Sequence, residues 1–287
     1  METEVEQAIQ AMDFVALSGE RGQRMASFVE HFVQPLQTSC VLDVGCRYGG
    51  ISASFSRVAR QVTAIDLLYN QVRQAFGHVK GQVTNLTFAC ANGSALPFRD
   101  DTFDLVILNG VLEWVGVAGT PRDPRDVQKG CLQEARRVLR EGGILYLAIE
   151  NRLYPGYILR DAHVGVPLVG ILPRRMANCI MTWLYQKPYR TFIYSYWELK
   201  RLVHESGFAS SSVYVPIYTY WYPCVIQRIS DRRGILRSLA DLRLADASER
   251  YRRSALVTRK QRLFFRFIAS LGLAKMLCNA FVVIAQA

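Results

Sequence analysis

The sequence lacks most features that would settle its class at once. Its seven cysteines (Cys40, Cys46, Cys90, Cys131, Cys179, Cys224, Cys278) are odd in number and include no CxxC pair. That argues against a disulfide framework or a zinc site and for a reducing compartment. No metal-ligand spacing is visible, so no metal is expected. No apolar run reaches the ~18 residues of a spanning helix; the nearest, LFFRFIASLGLAKMLCNAFVVIA, is broken by Arg266 and Lys275. The first residues, METEVEQAIQ, are acidic and lack the apolar stretch of a signal peptide, so none is expected. There is no internal repeat, no low-complexity segment and no GxGxxG fingerprint.

What is present is apolar mass and an uneven charge. Half of the 287 residues are hydrophobic, enough for a sizeable core. Residues 1–150 carry 14 Lys+Arg against 17 Asp+Glu, whereas residues 151–287 carry 21 against 7. A near-neutral half joined to a strongly basic one predicts an anionic partner for the second half: a phosphorylated or otherwise acidic substrate, nucleic acid or a lipid surface.

The first half alternates strand-like runs (40–45, 61–66, 85–90, 103–109, 143–150) with helix-like runs (50–59, 68–79, 124–139). Such alternation predicts a mostly parallel sheet with helices on both faces and a ligand at the carboxyl ends of the strands. After Glu150 the pattern changes to a Gly-, Pro- and aromatic-rich segment. Residues 151–194 are therefore expected to form a lid or substrate insertion. Residues 1–37 are expected to form a helical segment, and 231–277 a basic helical extension before the last strand, NAFVVIAQA.

The stretch VLDVGCRYGG ends the first strand in a glycine-rich turn, which brings backbone N–H groups close to a ligand. Asp66, ending the second strand, can accept both hydroxyls of a ribose. Asn92, after the third strand, can read an adenine edge. The turn suits a nucleoside carrying an amino acid better than a dinucleotide. Arg47 is expected to turn its side chain outward and line the turn with backbone alone; a positive φ there would strain it.

VLDVGCRYGG, VTAID, ALPFRDDTFDLVILNGVLEWV and RRVLREGGILYLAIENR, in this order, resemble the motifs of class I S-adenosylmethionine-dependent methyltransferases. The resemblance covers residues 38–152 strongly and implies residues 38–287 as one such domain. It implies a Rossmann-like, seven-stranded, mostly parallel sheet with helices on both faces and an antiparallel last strand. It implies S-adenosyl-L-methionine as cofactor. Asp43, Gly45, Cys46 and Gly49 would shape the methionine pocket. Asp66 and Leu67 would hold the ribose, and Asn92, Gly93 and Ser94 the adenine. Asn109 and Gly110 would line the methionine side. AIENRLYPGY…DAHVG…LP is further similar to methyltransferases of bacterial surface-polysaccharide biosynthesis. That implies O-methylation of an anionic saccharide or glycolipid.

A sugar hydroxyl needs a general base. His163, two residues after Asp161 in LRDAHVGVP, is the histidine placed to serve, with Asp161 behind it; the pair could equally cap a turn. Glu113, Arg152, Tyr154, Tyr157 and Arg160 are the candidate substrate contacts. The basic, aromatic stretches 171–190 and 259–276 fit a lipid interface, or equally two helices with a basic outer face. The expected location is cytoplasmic, or peripheral on the inner face of a membrane. No RNA-binding module is visible, so nucleic acid is not the expected partner. The alternatives are an RNA or small-molecule (carboxylate or quinone) methyltransferase, and a non-catalytic S-adenosylmethionine-binding protein.

Overall fold

The computed structural model describes residues 2–117, 122–161, 163–217, 219–241 and 259–287, without the side chains of 2–14 and 259–260. Its strands are β1 (Cys40–Val44), β2 (Gln61–Asp66), β3 (Leu86–Cys90), β4 (Phe103–Asn109), β5 (Leu139–Glu150), β6 (Ser210–Pro216), β7 (Ile226–Arg228) and β8 (Ala280–Gln286). Its helices are α1 (Glu2–Val29), α2 (Gly50–Ser56), α3 (Tyr69–Val79), α4 (Leu112–Val115), α5 (Pro124–Val138), α6 (Arg174–Tyr185), α7 (Tyr196–Glu205), α8 (Arg232–Asp241), α9 (Arg259–Ser270) and α10 (Ala274–Leu277). The eight strands form one sheet in the order β3-β2-β1-β4-β5-β8-β6-β7. β1 to β5 run parallel. β8 enters antiparallel between β5 and β6.

The sheet has one strand more than expected. β7 is a three-residue strand paired antiparallel to the edge of β6; its residues Ile-Gln-Arg carry no alternating apolar pattern to announce it. β5 also begins earlier than expected, at Leu139. Its first residues pair Leu139 with Phe103, then bulge before Ile144 meets Leu105, and Gly142 supplies the positive φ of 76°. α5 follows its sequence signals closely: Asp123 caps it by accepting the Arg125 N–H at 2.8 Å, and Pro124 stands in the first turn.

Alternate residues of each strand face opposite layers. Val41, Leu105, Ile107 and Tyr146 pack with Met25 and Val29 of α1 and Phe55 of α2. Leu42, Val106, Leu108, Leu145 and Leu147 pack with Leu132 of α5, Leu202 of α7 and Ile268 of α9. Both faces are covered, as a parallel sheet requires. The segment expected as an insertion holds a short 3₁₀ turn (Pro155–Ile158) and α6. Of the expected basic extension, α8, α9 and α10 are described and residues 242–258 lie outside the described residues.

Candidate active site at the carboxyl rim of the sheet

The turn after β1 satisfies its own backbone. The N–H groups of Gly45 and Cys46 both donate to the Ile65 carbonyl, at 2.8 and 2.9 Å, and that of Gly49 donates to the Cys46 carbonyl. The expectation that these N–H groups face a ligand is therefore corrected for Gly45, Cys46 and Gly49. Glycine is needed at 45 on two counts: φ is 75°, and a Cβ would stand 2.5 Å from the Val111 side chain. Arg47 has φ 49°, so the strain foreseen for a positive φ is present. Its side chain is exposed and lies over the Tyr48 ring at 5.3 Å. Its N–H donates to Asp66 Oδ2 at 3.0 Å.

Asp43 lies beneath this turn, 2 % exposed, and accepts from Ser52 Oγ at 2.5 Å. Burial pushes its carboxyl up to about 6, against the opposing effects of Ser52 and Arg21. It supports the turn from inside. Asp66 is half-buried at the end of β2 and accepts the Leu68 N–H on Oδ1 as well as the Arg47 N–H on Oδ2. Each oxygen retains lone-pair capacity toward the rim. Leu67 is exposed beside it. Asn92 turns its Oδ1 inward to the Ser94 N–H, leaving its amide NH₂ as the group that can meet a base. A Cβ on Gly93 would stand 3.0 Å from Val44. Ser94 Oγ and both amide atoms of Asn109 are buried without a partner. Orphaned donors and acceptors at this rim fit a polar ligand such as S-adenosylmethionine.

One residue beyond Asn109, Gly110 (φ 70°) leaves room for Tyr220, whose hydroxyl would lie 2.7 Å from a Cβ there. Tyr220 is buried in the loop between β6 and β7 and donates to Glu150 Oε1 at 2.8 Å. Glu150 ends β5. Its other oxygen lies 3.5 Å from His163 Nε2, at the outer limit of hydrogen-bond distance. Glu113, in α4, is fully buried with its Oε1 4.0 Å from the same nitrogen and neither oxygen hydrogen-bonded. Burial, then the neighbouring Glu150, hold the Glu113 carboxyl well above the usual range. Burial acts to raise Glu150 too, but His163 and Tyr220 outweigh it and hold that carboxyl low.

Several expected partners are placed differently. Asp161 does not back the His163 ring: its Oδ1 accepts the backbone N–H groups of His163 and Val164, both at 2.9 Å, so it caps the turn that presents the imidazole. Arg152 does not face an acceptor. Its guanidinium donates to Glu198 at 2.7 Å and to the carbonyls of Gly170, Ile171 and Leu172. Tyr154 and Tyr157 pack edge-on against each other at 5.5 Å, and Tyr154 against Phe264. Arg160 is exposed. Sequence reasoning missed Tyr220, which sits in the run YTYWY with no neighbour in sequence to single it out.

Residues 42–147 match the family model described as a methyltransferase domain. This segment is similar to methyltransferase domains. Among curated relatives of the domain, the ubiquinone biosynthesis O-methyltransferase of Parvibaculum lavamentivorans is 29 % identical over 143 residues, covering 50 % of this chain and 52 % of that protein. The malonyl-[acyl-carrier protein] O-methyltransferase of Geobacter sulfurreducens is 28 % identical over 120 residues, 41 % of each. The chain thus spans about half the length of the curated relatives it matches. These relatives do not support the likeness to surface-polysaccharide enzymes. Among solved structures, the [4+2]-cyclase SpnF superposes with a TM-score of 0.52 at 18 % identity, over 92 % of this chain and 80 % of that one. A Haemonchus contortus phosphoethanolamine N-methyltransferase 2, bound to S-adenosylhomocysteine, gives 0.52 at 15 % identity, over 92 % of this chain and 52 % of that one. A cyclase and a methyltransferase share this fold, so the chemistry of this chain must be argued from its site.

Proposed function

We propose that the chain transfers a methyl group from S-adenosylmethionine to an oxygen of a small-molecule acceptor held against Glu113, Glu150 and His163. The observation that carries this reading is Tyr220. Its hydroxyl donates to Glu150 in the buried cluster, and the same end of its ring fills the space that a side chain at Gly110, on the donor side of the rim, would take, which supports putting the two sites side by side. Asp66, Asn92, Ser94 and Asn109 are the residues that would hold the donor; when bound, it supplies an electrophilic methyl carbon on sulfur. The acceptor's oxygen lone pair forms the new C–O bond while the C–S bond breaks and sulfur keeps that pair. The acceptor's proton passes into the cluster, to His163 Nε2 and the Glu150 oxygen 3.5 Å from it, with Asp161 fixing the backbone of His163. Burial of Glu113 and His163 keeps competing water away.

Oxygen as the acceptor atom is supported by the names of both curated relatives. An anionic acceptor, such as an acidic saccharide or a glycolipid, is favoured by the basic balance of residues 151–287. Peripheral membrane contact is favoured by the outer face of α6, where Met176, Trp183, Leu184 and Tyr185 are exposed beside Arg175 and Lys187. Among the described residues no helix is long and apolar enough to cross a membrane.

Labelled-methyl transfer into cell extract, split into glycolipid, RNA and small-molecule fractions, tests the reading. Label is expected in a glycolipid or small-molecule product whose new bond is C–O. Label in RNA, or none with donor binding intact, overturns it. Asp66→Ala is expected to weaken donor binding by at least tenfold in calorimetry, the loss expected of hydrogen bonds to a charged group; unchanged affinity would reassign the ribose contact.

A further inference from the structure

The cluster that receives the acceptor brings together three side chains from three separate segments: Glu113 from α4, Glu150 from the end of β5 and His163 from the turn capped by Asp161. One ligand atom from each lies within 4.8 Å of the other two, and among the described residues this group alone does so. Ligand atoms around a tetrahedral ion at ~2.1 Å stand about 3.4 Å apart. His163 Nε2 stands 3.5 Å from Glu150 and 4.0 Å from Glu113, so these two edges reach that spacing with contractions of about 0.1 and 0.6 Å.

Burial supplies a second, independent observation. Glu113 is 0 % exposed, yet neither of its oxygens has a hydrogen-bond partner, and Glu150 Oε2 has none either. A buried carboxylate is ordinarily paired, hydrogen-bonded or bound to a cation. Tyr220 satisfies only Glu150 Oε1 and leaves Oε2 aimed into the cluster. His163 Nδ1 has no partner, so whatever Nε2 binds sets the tautomer.

We propose that Glu113, Glu150 and His163 bind one divalent first-row cation, with an open position for the acceptor's oxygen. Two carboxylates and one imidazole are the donor set of Mn²⁺, Fe²⁺ or Zn²⁺, and three protein ligands leave room for a further one. This rests on the reading that the acceptor meets this cluster. It changes that reading in one respect: with the ion in place, His163 is a ligand, and the cation takes over activation of the acceptor's oxygen.

Chelator-treated full-length chain, titrated with Mn²⁺ and followed by calorimetry and by loss of the free-ion electron paramagnetic resonance signal, tests the site without any activity. Mn²⁺ is the first probe because it disfavours the exposed thiols of Cys90 and Cys179, which could hold Zn²⁺. The expected result is one equivalent bound by the wild type. Glu113→Gln and Glu150→Gln should each weaken it at least tenfold while leaving S-adenosylmethionine affinity within twofold, which also reports that they are folded. A wild type that takes up no stoichiometric Mn²⁺ or Zn²⁺ overturns the proposal, as does equal binding by folded variants. The two readings fail separately. A chain that binds no metal but transfers methyl groups with a His163-dependent rate retains the proposed function and loses the ion. One that binds the ion yet methylates no oxygen does the opposite.

Discussion

Asp43 is a carboxyl placed where ionisation is costly. It lies under the first turn among Ser52 of α2, Arg21 of α1 and, across the rim, Asp66 of β2. Its value near 6 in the folded chain exceeds the 3.8 of a free carboxyl. The folded state therefore binds more protons than the unfolded one between about pH 4 and 6, and stability falls as pH rises through that window. Two pKa units correspond to about 3 kcal/mol. Asp43→Asn keeps the Ser52 contact and removes the titration. Urea unfolding at pH 4 and pH 7 should show the variant gaining up to about 3 kcal/mol on the wild type across that interval; a constant difference would mean that Asp43 does not carry the charge. Arg47 shows a different residue-scale compromise. Its left-handed backbone costs on the order of 1 kcal/mol, offset in part by the N–H it donates to Asp66.

At the scale of elements, the segment after β5 is held by one guanidinium. Arg152 joins Glu198, itself part of the capping box of α7, to three consecutive carbonyls at 170–172. Its side chain is 14 % exposed but that of Glu198 is 41 % exposed, so solvent screens the ion pair and the carbonyl contacts carry most of the hold. Arg152→Ala is expected to destabilise the chain by about 1–2 kcal/mol and to open residues 153–174 to limited proteolysis ahead of the sheet. Cleavage no faster than in wild type would show that packing of Tyr157 and Val169 suffices. This pin was not legible in the sequence. Arg152 reads there as a substrate contact because it stands at the ligand edge of β5, and nothing local tells a guanidinium directed at solvent from one directed at carbonyls 20 residues away. Tyr154 and Tyr157 mislead in the same manner: aromatics near a site serve packing as readily as recognition.

Across the whole molecule, the sheet is closed by its last strand. β8 pairs with β5 through residues 144–150 and with β6 through 210–214, so it bridges segments more than 60 residues apart in sequence. Val283 is 1 % exposed at its centre. Val283→Asp buries an unpaired charge between two strands and should cost upwards of about 4 kcal/mol, with the chain recovered in the insoluble fraction. A soluble variant with wild-type donor affinity would show that β8 is dispensable.

The sequence by itself determined the alternating β/α order, the parallel half of the sheet, the antiparallel last strand and the tight turn after β1. Each is written locally, in the period of apolar residues and in a glycine turn a few residues long. The meeting of Glu113, Glu150, His163 and Tyr220 was decided only by the tertiary structure. These four residues span 108 positions and share no spacing, and they converge because β4, β5 and the loop after β6 all end at one edge of a twisted sheet. Contacts of that kind depend on which strands lie side by side, a property of the assembled sheet that no local run of residues encodes.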